Sequence, residues 1–278
     1  MEIIVLRISK RRSNMKIGFI GCGNMGQAML GGMIDSGKVK AQDVLVTDKL
    51  LASRVNAQKK WGVDIPASNV EVAMISDIII LAVKPQFYEE VISEIKSAIW
   101  ENKILVSIAP GKSLKWLEEQ VGKPAKIIRA MPNTPAMVKE GMMGICANDK
   151  VAKDELEYVC KLFNSFSRTE VVPENIMDVV TAVSGSSPAY VFMFIEAMAD
   201  AASADGMPRA QAYQFAAQAV LGSAKMILET HKHPGELKDM VCSPGGTTLE
   251  AIRVLEGHRL RSSVFEAMKA CVAHARKM

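Results

Sequence analysis

A short apolar segment, Lys16-Ile-Gly-Phe-Ile20, runs without a break into Gly21-Cys-Gly-Asn-Met-Gly26, and residues 27–36 then carry apolar side chains at helical spacing. A strand, a glycine turn and a helix in that order constrain this chain more than any other feature. Gly21 allows a tight turn, Gly23 leaves the backbone open to a pyrophosphate, and Gly26 lets the helix pack close to its strand. The helix N-terminus adds unpaired N–H groups and the positive end of a dipole. Such a glycine string is weak on its own, because glycines also make ordinary turns. Here its context is complete. A second apolar run, Asp43-Val-Leu-Val-Thr47, ends at Asp48, where a carboxylate can bond a ribose 2′-OH and repel a 2′-phosphate. The expected ligand is therefore NAD(P)H with a lean toward NADH. Lys49 and Arg54 pull the other way, and the plain alternative for Asp48 is a solvated loop acid.

Further apolar runs at residues 78–83, 104–108, 126–130 and 144–147, and a last one near 170–172, alternate with helical stretches such as 50–60 and 87–99. Continuous Ile, Leu and Val predict strands buried on both faces, hence a mostly parallel α/β sheet covered by helices, a doubly wound Rossmann-type fold. Loops that follow strands of one sheet open on one crevice. That places Ala82-Val-Lys-Pro85, Ser107-Ile-Ala-Pro-Gly111 and Met131-Pro-Asn-Thr-Pro135 beside the glycine turn, with Lys84 as a cation near the cofactor. Prolines after strands are also common loop formers. The domain expected from this pattern spans residues 1–176. Residues 1–14, with an apolar patch before four cations, read as an extension ahead of Met15, or as an organelle leader; the order is the reverse of an export signal.

From residue 177 to 278 the pattern is helical, with Pro188, Pro208 and Pro234 at helix starts. The helices predicted over residues 188–204 and 209–229 are apolar on more than one stripe, more than so small a unit can bury in itself, so self-association or a deep core is implied. Cys242-Ser-Pro-Gly-Gly-Thr-Thr-Leu249 joins bare backbone at Gly245 and Gly246 to two hydroxyls, Thr247 and Thr248, at a helix start. This is a carboxylate site in form, although a threonine there can also be a plain N-cap. Ser184-Gly-Ser-Ser-Pro188 shapes either the same pocket or a helix-start turn.

Composition excludes several other classes. The 278 residues are 49% hydrophobic and 23% charged, which is too much core material for a disordered chain. A net charge of +4 spread along the sequence argues against nucleic acid. Five scattered cysteines without a Cys-x-x-Cys pair fit a reducing cytosol rather than a disulfide framework. Uninterrupted apolar runs fall short of the ~20 residues that cross a bilayer, so no membrane partner is expected. His231-x-His233 lacks a third ligand, and no metal is expected.

With these motifs in this order, and with Ser184-Gly-Ser-Ser-Pro-Ala-Tyr190 and His233-Pro-Gly-Glu-Leu-Lys-Asp239 between them, the sequence from Met15 onward resembles the pyrroline-5-carboxylate reductases. The resemblance implies reduction of 1-pyrroline-5-carboxylate to L-proline with NAD(P)H, the last step of proline biosynthesis, by a homo-oligomer of dimers, often a decamer. It assigns Ile20, Gly21, Cys22, Gly23, Asn24, Met25 and Gly26 to the pyrophosphate and Asp48 to the adenosine ribose. Asn69, Ala82, Val83, Lys84, Pro85, Ile108, Ala109 and Pro110 would line the cofactor cleft. Glu174, Gly245, Gly246, Thr247 and Thr248 would meet the substrate, with Thr248 as the catalytic donor near the imine nitrogen. There are two departures: relatives that favour NADPH carry small or basic residues around Asp48, and Met240 stands where relatives can place a cofactor-binding Asn. The rival readings are a 3-hydroxyacid dehydrogenase, whose second-domain lysine is missing here until Lys225, and a cofactor-sensing protein without turnover.

Overall fold

The computed structural model describes residues 15–277, so the extension expected at residues 1–14 lies outside them. The first half alternates as the sequence predicts: β1 (Ile17–Ile20), α1 (Asn24–Asp35), β2 (Val44–Thr47), α2 (Leu51–Trp61), α3 (Asn69–Ile75), β3 (Ile78–Leu81) and α4 (Tyr88–Ile95). It continues through β4 (Ile104–Ser107), α5 (Leu114–Val121), β5 (Lys126–Met131), β6 (Gly141–Ala147), α6 (Lys153–Phe163), β7 (Ser167–Val171) and α7 (Met177–Val180). The seven strands form one sheet in the order β2-β1-β3-β4-β5-β6-β7. Every pairing is parallel except β5 with β6, where Ile128 faces Ala147 in antiparallel register. The short link between those two strands, residues 132–140, is compatible only with a reversal, since a parallel pair needs a long crossover.

Every residue of β1 to β4 is buried, as expected of strands covered on both faces. Alternate side chains feed two cores. Phe19, Val46, Ile80 and Val106 join Met29, Met33 and Phe163 on one face. Ile20, Leu45, Ile79 and Leu105 join Val72, Tyr88, Ile92 and Leu117 on the other. The period of two along each strand accounts for the division.

The chain divides into two compact units, residues 15–185 with 272–277, and residues 186–271. This division comes later than the 176/177 boundary expected from the loss of strand pattern. The reason is packing: Met177, Thr181 and Ala182 are buried in the first unit, and Val180 lies where any side chain at Gly144 would sit, its Cγ1 only 2.7 Å from an added Cβ. A π-helical turn, Thr181–Ser186, leads into α8 (Ser187–Ala204), with Pro188 in its first turn. The second unit continues with α9 (Arg209–Thr230), α10 (Pro234–Met240) and α11 (Thr247–Gly257), and α12 (Leu260–Ala275) follows. Helices α8 and α9 pack on each other, yet Phe192, Met193, Phe215, Leu221 and Phe265 stay largely exposed.

Candidate functional site

The carboxyl ends of β1, β2, β3 and β4 and the residues after β5 enclose a cleft of about 1160 Å³. Gly21 sits at its floor with φ +103°, and a Cβ there would lie 2.6 Å from the carbonyl of Ala82. Only glycine permits that turn and that approach. Gly26 is equally close to the Gly21 oxygen, 2.7 Å from an added Cβ, whereas a Cβ on Gly23 would meet nothing within 4 Å. The three glycines thus hold the roles expected of them: turn, open approach and close packing. Helix α1 begins after Gly23 with no side-chain cap and no acidic residue in its first turn, so its leading N–H groups are unpaired by side chains. Unpaired donors at a helix start beside bare backbone fit a diphosphate.

Of the residues expected to hold the cofactor, Ile20, Gly21, Gly23, Asn24, Met25, Asp48 and Asn69 line this cleft, as do Ala82 to Pro85 and Ile108 to Pro110. Cys22 and Gly26 stand behind it. The Cys22 backbone N–H donates to Asp48 Oδ2 at 2.7 Å, and its thiol is buried, with a pKa pushed up to about 11 by that burial and by the Asp48 carboxylate. The second oxygen of Asp48, Oδ1, accepts the Leu50 N–H at 2.8 Å. Asp48 is therefore a brace between the glycine turn and the start of α2 as well as a cleft residue. Asn69 also has a partner, donating through Nδ2 to Glu94 Oε2 at 2.6 Å. Met131, Pro132 and Thr134 bring the third expected loop into the lining. Behind that loop Asn133 accepts the Met142 N–H at 2.9 Å and donates to the Ser184 carbonyl at 3.0 Å, which fixes the loop against the π-helical turn.

Sequence reasoning missed Tyr88. Its ring is fully buried and its hydroxyl donates to the Leu81 carbonyl at 2.6 Å while accepting the Ile108 N–H at 3.2 Å, with Ser107 Oγ 3.3 Å away. One phenol thereby ties the ends of β3 and β4, from which two of the cleft loops spring. Burial pushes its pKa up to about 12 against the opposing effect of these hydrogen bonds. Nothing local marks a tyrosine after Lys-Pro-Gln-Phe as a loop anchor, because its partners come from elements distant in sequence.

In the second unit the loop before α11 has the expected form. Gly246 N–H donates to the Ser243 carbonyl at 3.0 Å, Gly245 is left-handed at φ +67°, and Gly246 is the N-cap residue, without a side-chain bond. Neither Thr247 nor Thr248 caps the helix. Among the described residues neither hydroxyl has a partner, so the capping alternative gives way to two free donors beside bare backbone. His233 does cap: its Nδ1 accepts the Gly235 N–H at 3.0 Å at the start of α10. Glu174, expected at the substrate, is not among the residues lining the cleft. Its Oε1 accepts from Arg129 Nη1 at 2.9 Å and from the Leu114 N–H at 2.6 Å, which makes it a tie between β5 and α5.

Comparison with known proteins places the chain in a family. Residues 174–278 match the pyrroline-5-carboxylate reductase dimerisation model, and residues 16–111 match the model of NADP oxidoreductases, coenzyme F420-dependent. The pyrroline-5-carboxylate reductase of Escherichia coli is 53% identical over 267 residues, 95% of this chain and 98% of that protein. That of Methanosarcina acetivorans is 42% identical over 92% of this chain and 94% of its own length. Among solved structures, the Coxiella burnetii pyrroline-5-carboxylate reductase superposes with a TM-score of 0.88 at 35% identity, covering 95% of this chain and 98% of that one. The Plasmodium falciparum pyrroline carboxylate reductase, solved with NADP bound, gives 0.86 at 33% identity over the same shares. Near-complete coverage at such identity, joined to the glycine cleft and the paired threonines, leaves one conclusion: the chain belongs to the pyrroline-5-carboxylate reductase family.

Proposed function

We infer that the chain reduces 1-pyrroline-5-carboxylate to L-proline with a reduced nicotinamide dinucleotide, the final step of proline biosynthesis. The observation that carries this reading is the pair of free hydroxyls at Thr247 and Thr248, beside the bare backbone of Gly245 and Gly246, in a chain that also has a complete dinucleotide cleft.

A reduced nicotinamide, when bound, supplies the hydride that the imine carbon accepts. The chain's own task is to hold and polarise a small ring acid. Gly245 and Gly246 present backbone to its carboxylate. Thr247 adds a hydroxyl at the helix start. Thr248 Oγ1 donates toward the ring nitrogen, stabilising charge where it changes during reduction. No strong acid or base is needed from the chain: with the ring nitrogen hydrogen-bonded by Thr248 the imine carbon is already electrophilic, it takes the hydride while the nitrogen takes one proton from solvent, and positioning supplies most of the gain.

Glu174, also expected at the substrate, has its Oε1 engaged by Arg129 and the α5 N-terminus. The cofactor lean read from Asp48 weakens for a similar reason, because both its oxygens already accept backbone N–H groups. The uncovered apolar side chains of α8 and α9 suit a second copy of the chain, and the matched dimerisation region covers both helices. By length and composition the helical run 174–204 could also span a bilayer. The serines and glycine at residues 184–187 hide it from a search for uninterrupted apolar runs. We assign it to the dimer, with dimers assembling further, as decamers. Free thiols at all five cysteines suit a reducing cytoplasm.

Thr248→Ala tests the reading. It should lower kcat by the equivalent of ~2.7–4 kcal/mol, as loss of an oxyanion-type donor does, while dinucleotide affinity measured by fluorescence titration stays within about twofold. Equal loss of both would remove Thr248 from the chemistry. Failure of the wild-type chain to oxidise NADH or NADPH with 1-pyrroline-5-carboxylate would remove the function itself.

A further inference from the structure

We propose that Asn133 and Gly185 are positioning residues for hydride transfer: together they clamp the loop after β5 and so hold Met131 and Pro132 at the nicotinamide end of the cleft. The inference rests on the reductase reading and deepens it, giving a task to Ser184-Gly-Ser-Ser-Pro188, a motif that the contacts assigned to substrate and cofactor leave unused.

Three observations carry it. The first is a side chain that does not do what its position suggests. Asn133 is the N-cap residue of a 3₁₀ turn, Thr134–Val138, yet it makes no side-chain bond to that turn, although asparagine in such a place ordinarily caps. Its buried amide serves two other elements instead. The ladder between β5 and β6 ends where Met131 faces Gly144. Two residues beyond, the Met142 N–H donates to Asn133 Oδ1 at 2.9 Å, so a side chain extends the ladder that the backbone has left. Asn133 Nδ2 donates to the Ser184 carbonyl at 3.0 Å. In an α-helix that carbonyl would take the N–H of the residue four places on, which is Pro188 and has none. A π-helical turn stands there, and Asn133 supplies a donor to it.

The second observation is the space at Gly185. A Cβ there would lie 2.7 Å from Met131 Cε, and the next atoms, Thr181 Cγ2 and Met131 Cγ, are 3.8 and 3.9 Å away. Met131 has room because residue 185 has no side chain. Met131, Pro132, Thr134 and Met137 all line the cleft, so a shift of this loop is a shift of the cleft wall.

The third observation is where that wall stands. The glycine turn after β1 suits the diphosphate, and Asp48 after β2 stands at the adenosine end. The sheet order β2-β1-β3-β4-β5 puts the loop after β5 four strands from β2, ~19 Å at ~4.8 Å per strand. The nicotinamide end of a dinucleotide lies on that side of the glycine turn. Hydride transfer is steep in distance and angle, so a wall displaced by about 1 Å there costs rate even when binding is kept.

Single-turnover kinetics and calorimetric titration of the full chain test this together. Asn133→Ala should slow hydride transfer to 1-pyrroline-5-carboxylate about tenfold and leave the KM for that substrate within about twofold. It should weaken the intact reduced dinucleotide about threefold, while the nicotinamide-free fragments ADP-ribose and 2′-phospho-ADP-ribose bind within about twofold of wild type. Gly185→Ala should repeat the pattern at about threefold in rate with a melting temperature near wild type, because its added methyl meets only the flexible end of Met131. Should Asn133→Ala not fold, Gly185→Ala decides alone. Variants that melt lower but transfer hydride at the wild-type rate would reduce the clamp to a structural feature and overturn the inference. Equal loss of affinity for dinucleotide and fragments would overturn it too, and both results leave the reductase reading in place. A wild-type chain that binds the fragments but transfers no hydride would remove the reductase reading, and the inference would fall with it.

Discussion

Tyr88 shows what a single hydroxyl does in this molecule. It donates to the Leu81 carbonyl inside the core and accepts from the part-buried Ile108 N–H, both at the roots of loops that line the cleft. Tyr88→Phe keeps the ring and its packing but removes two hydrogen bonds, leaving the Leu81 carbonyl and the Ile108 N–H with only their long mutual contact of 3.4 Å. The expected cost is about 1–3 kcal/mol of stability, read as a lower urea midpoint. Because the two loops are no longer tied, dinucleotide affinity should also fall by a few-fold, whereas a purely structural hydroxyl would lower the midpoint alone. Asp48 is a second case of one residue with two tasks. The acid at the end of β2 was legible from its spacing to Gly26, but its bond to the Cys22 N–H was not, since that depends on how the glycine turn folds back on the strand end.

Between elements, the sequence was most legible where one physical rule dominated. Four fully buried parallel strands read directly as Ile, Leu and Val runs, and the glycine turn announced the cleft. β6 was harder. Its first half, Gly141-Met-Met-Gly144, carries two glycines because other parts of the fold press on it: a Cβ at Gly141 would lie 2.7 Å from Ser167 Cβ, and one at Gly144 the same distance from Val180. Close approach by neighbours removed the apolar pattern that would have marked the strand, so only residues 144–147 were readable. The boundary expected at 176/177 lies beside the start of the matched dimerisation region at residue 174, whereas packing divides the chain after residue 185, since α7 and the following π-helical turn look helical in sequence yet pack on the sheet. Arg129 belongs to the same region. It is almost wholly buried on β5 and is held by Glu174 at 2.9 Å, with Asp178 of α7 at 4.0 Å. Glu174→Gln leaves that guanidinium without its main counter-charge. A loss of about 2 kcal/mol is expected, below the 3–5 typical of a fully buried pair because Glu174 is a third exposed and Asp178 remains. Chemical denaturation checks the loss, and substrate KM should change little if Glu174 is a structural tie.

At the scale of the whole molecule, the buried acids of the first unit set a limit on its stability at high pH. Cys22 and Cys146 are pushed from the ordinary thiol value of 9.0 up to about 11, in both cases mainly by burial, and Tyr88 rises from 10.0 to about 12 for the same reason. In each case the native state holds a proton that the unfolded chain releases sooner. Below pH 9 all three groups are protonated in both states, and their contribution is constant. Between pH 9 and 11 the unfolded thiols ionise while the native ones do not, so the unfolded state binds fewer protons and stability must fall as pH rises. Tyr88 extends the loss from pH 10 toward 12. Each group contributes on the order of 2 kcal/mol over its window. The three tryptophans, Trp61, Trp100 and Trp116, all lie in the first unit, so their fluorescence follows its unfolding rather than that of the helical unit. Urea midpoints taken by tryptophan emission should be level from pH 7.5 to 8.5 and decline steadily from pH 9 to 11, and the double variant Cys22→Ala/Cys146→Ala should flatten the first part of that decline. A midpoint that rises over the same interval would reverse the sign assigned to these buried acids.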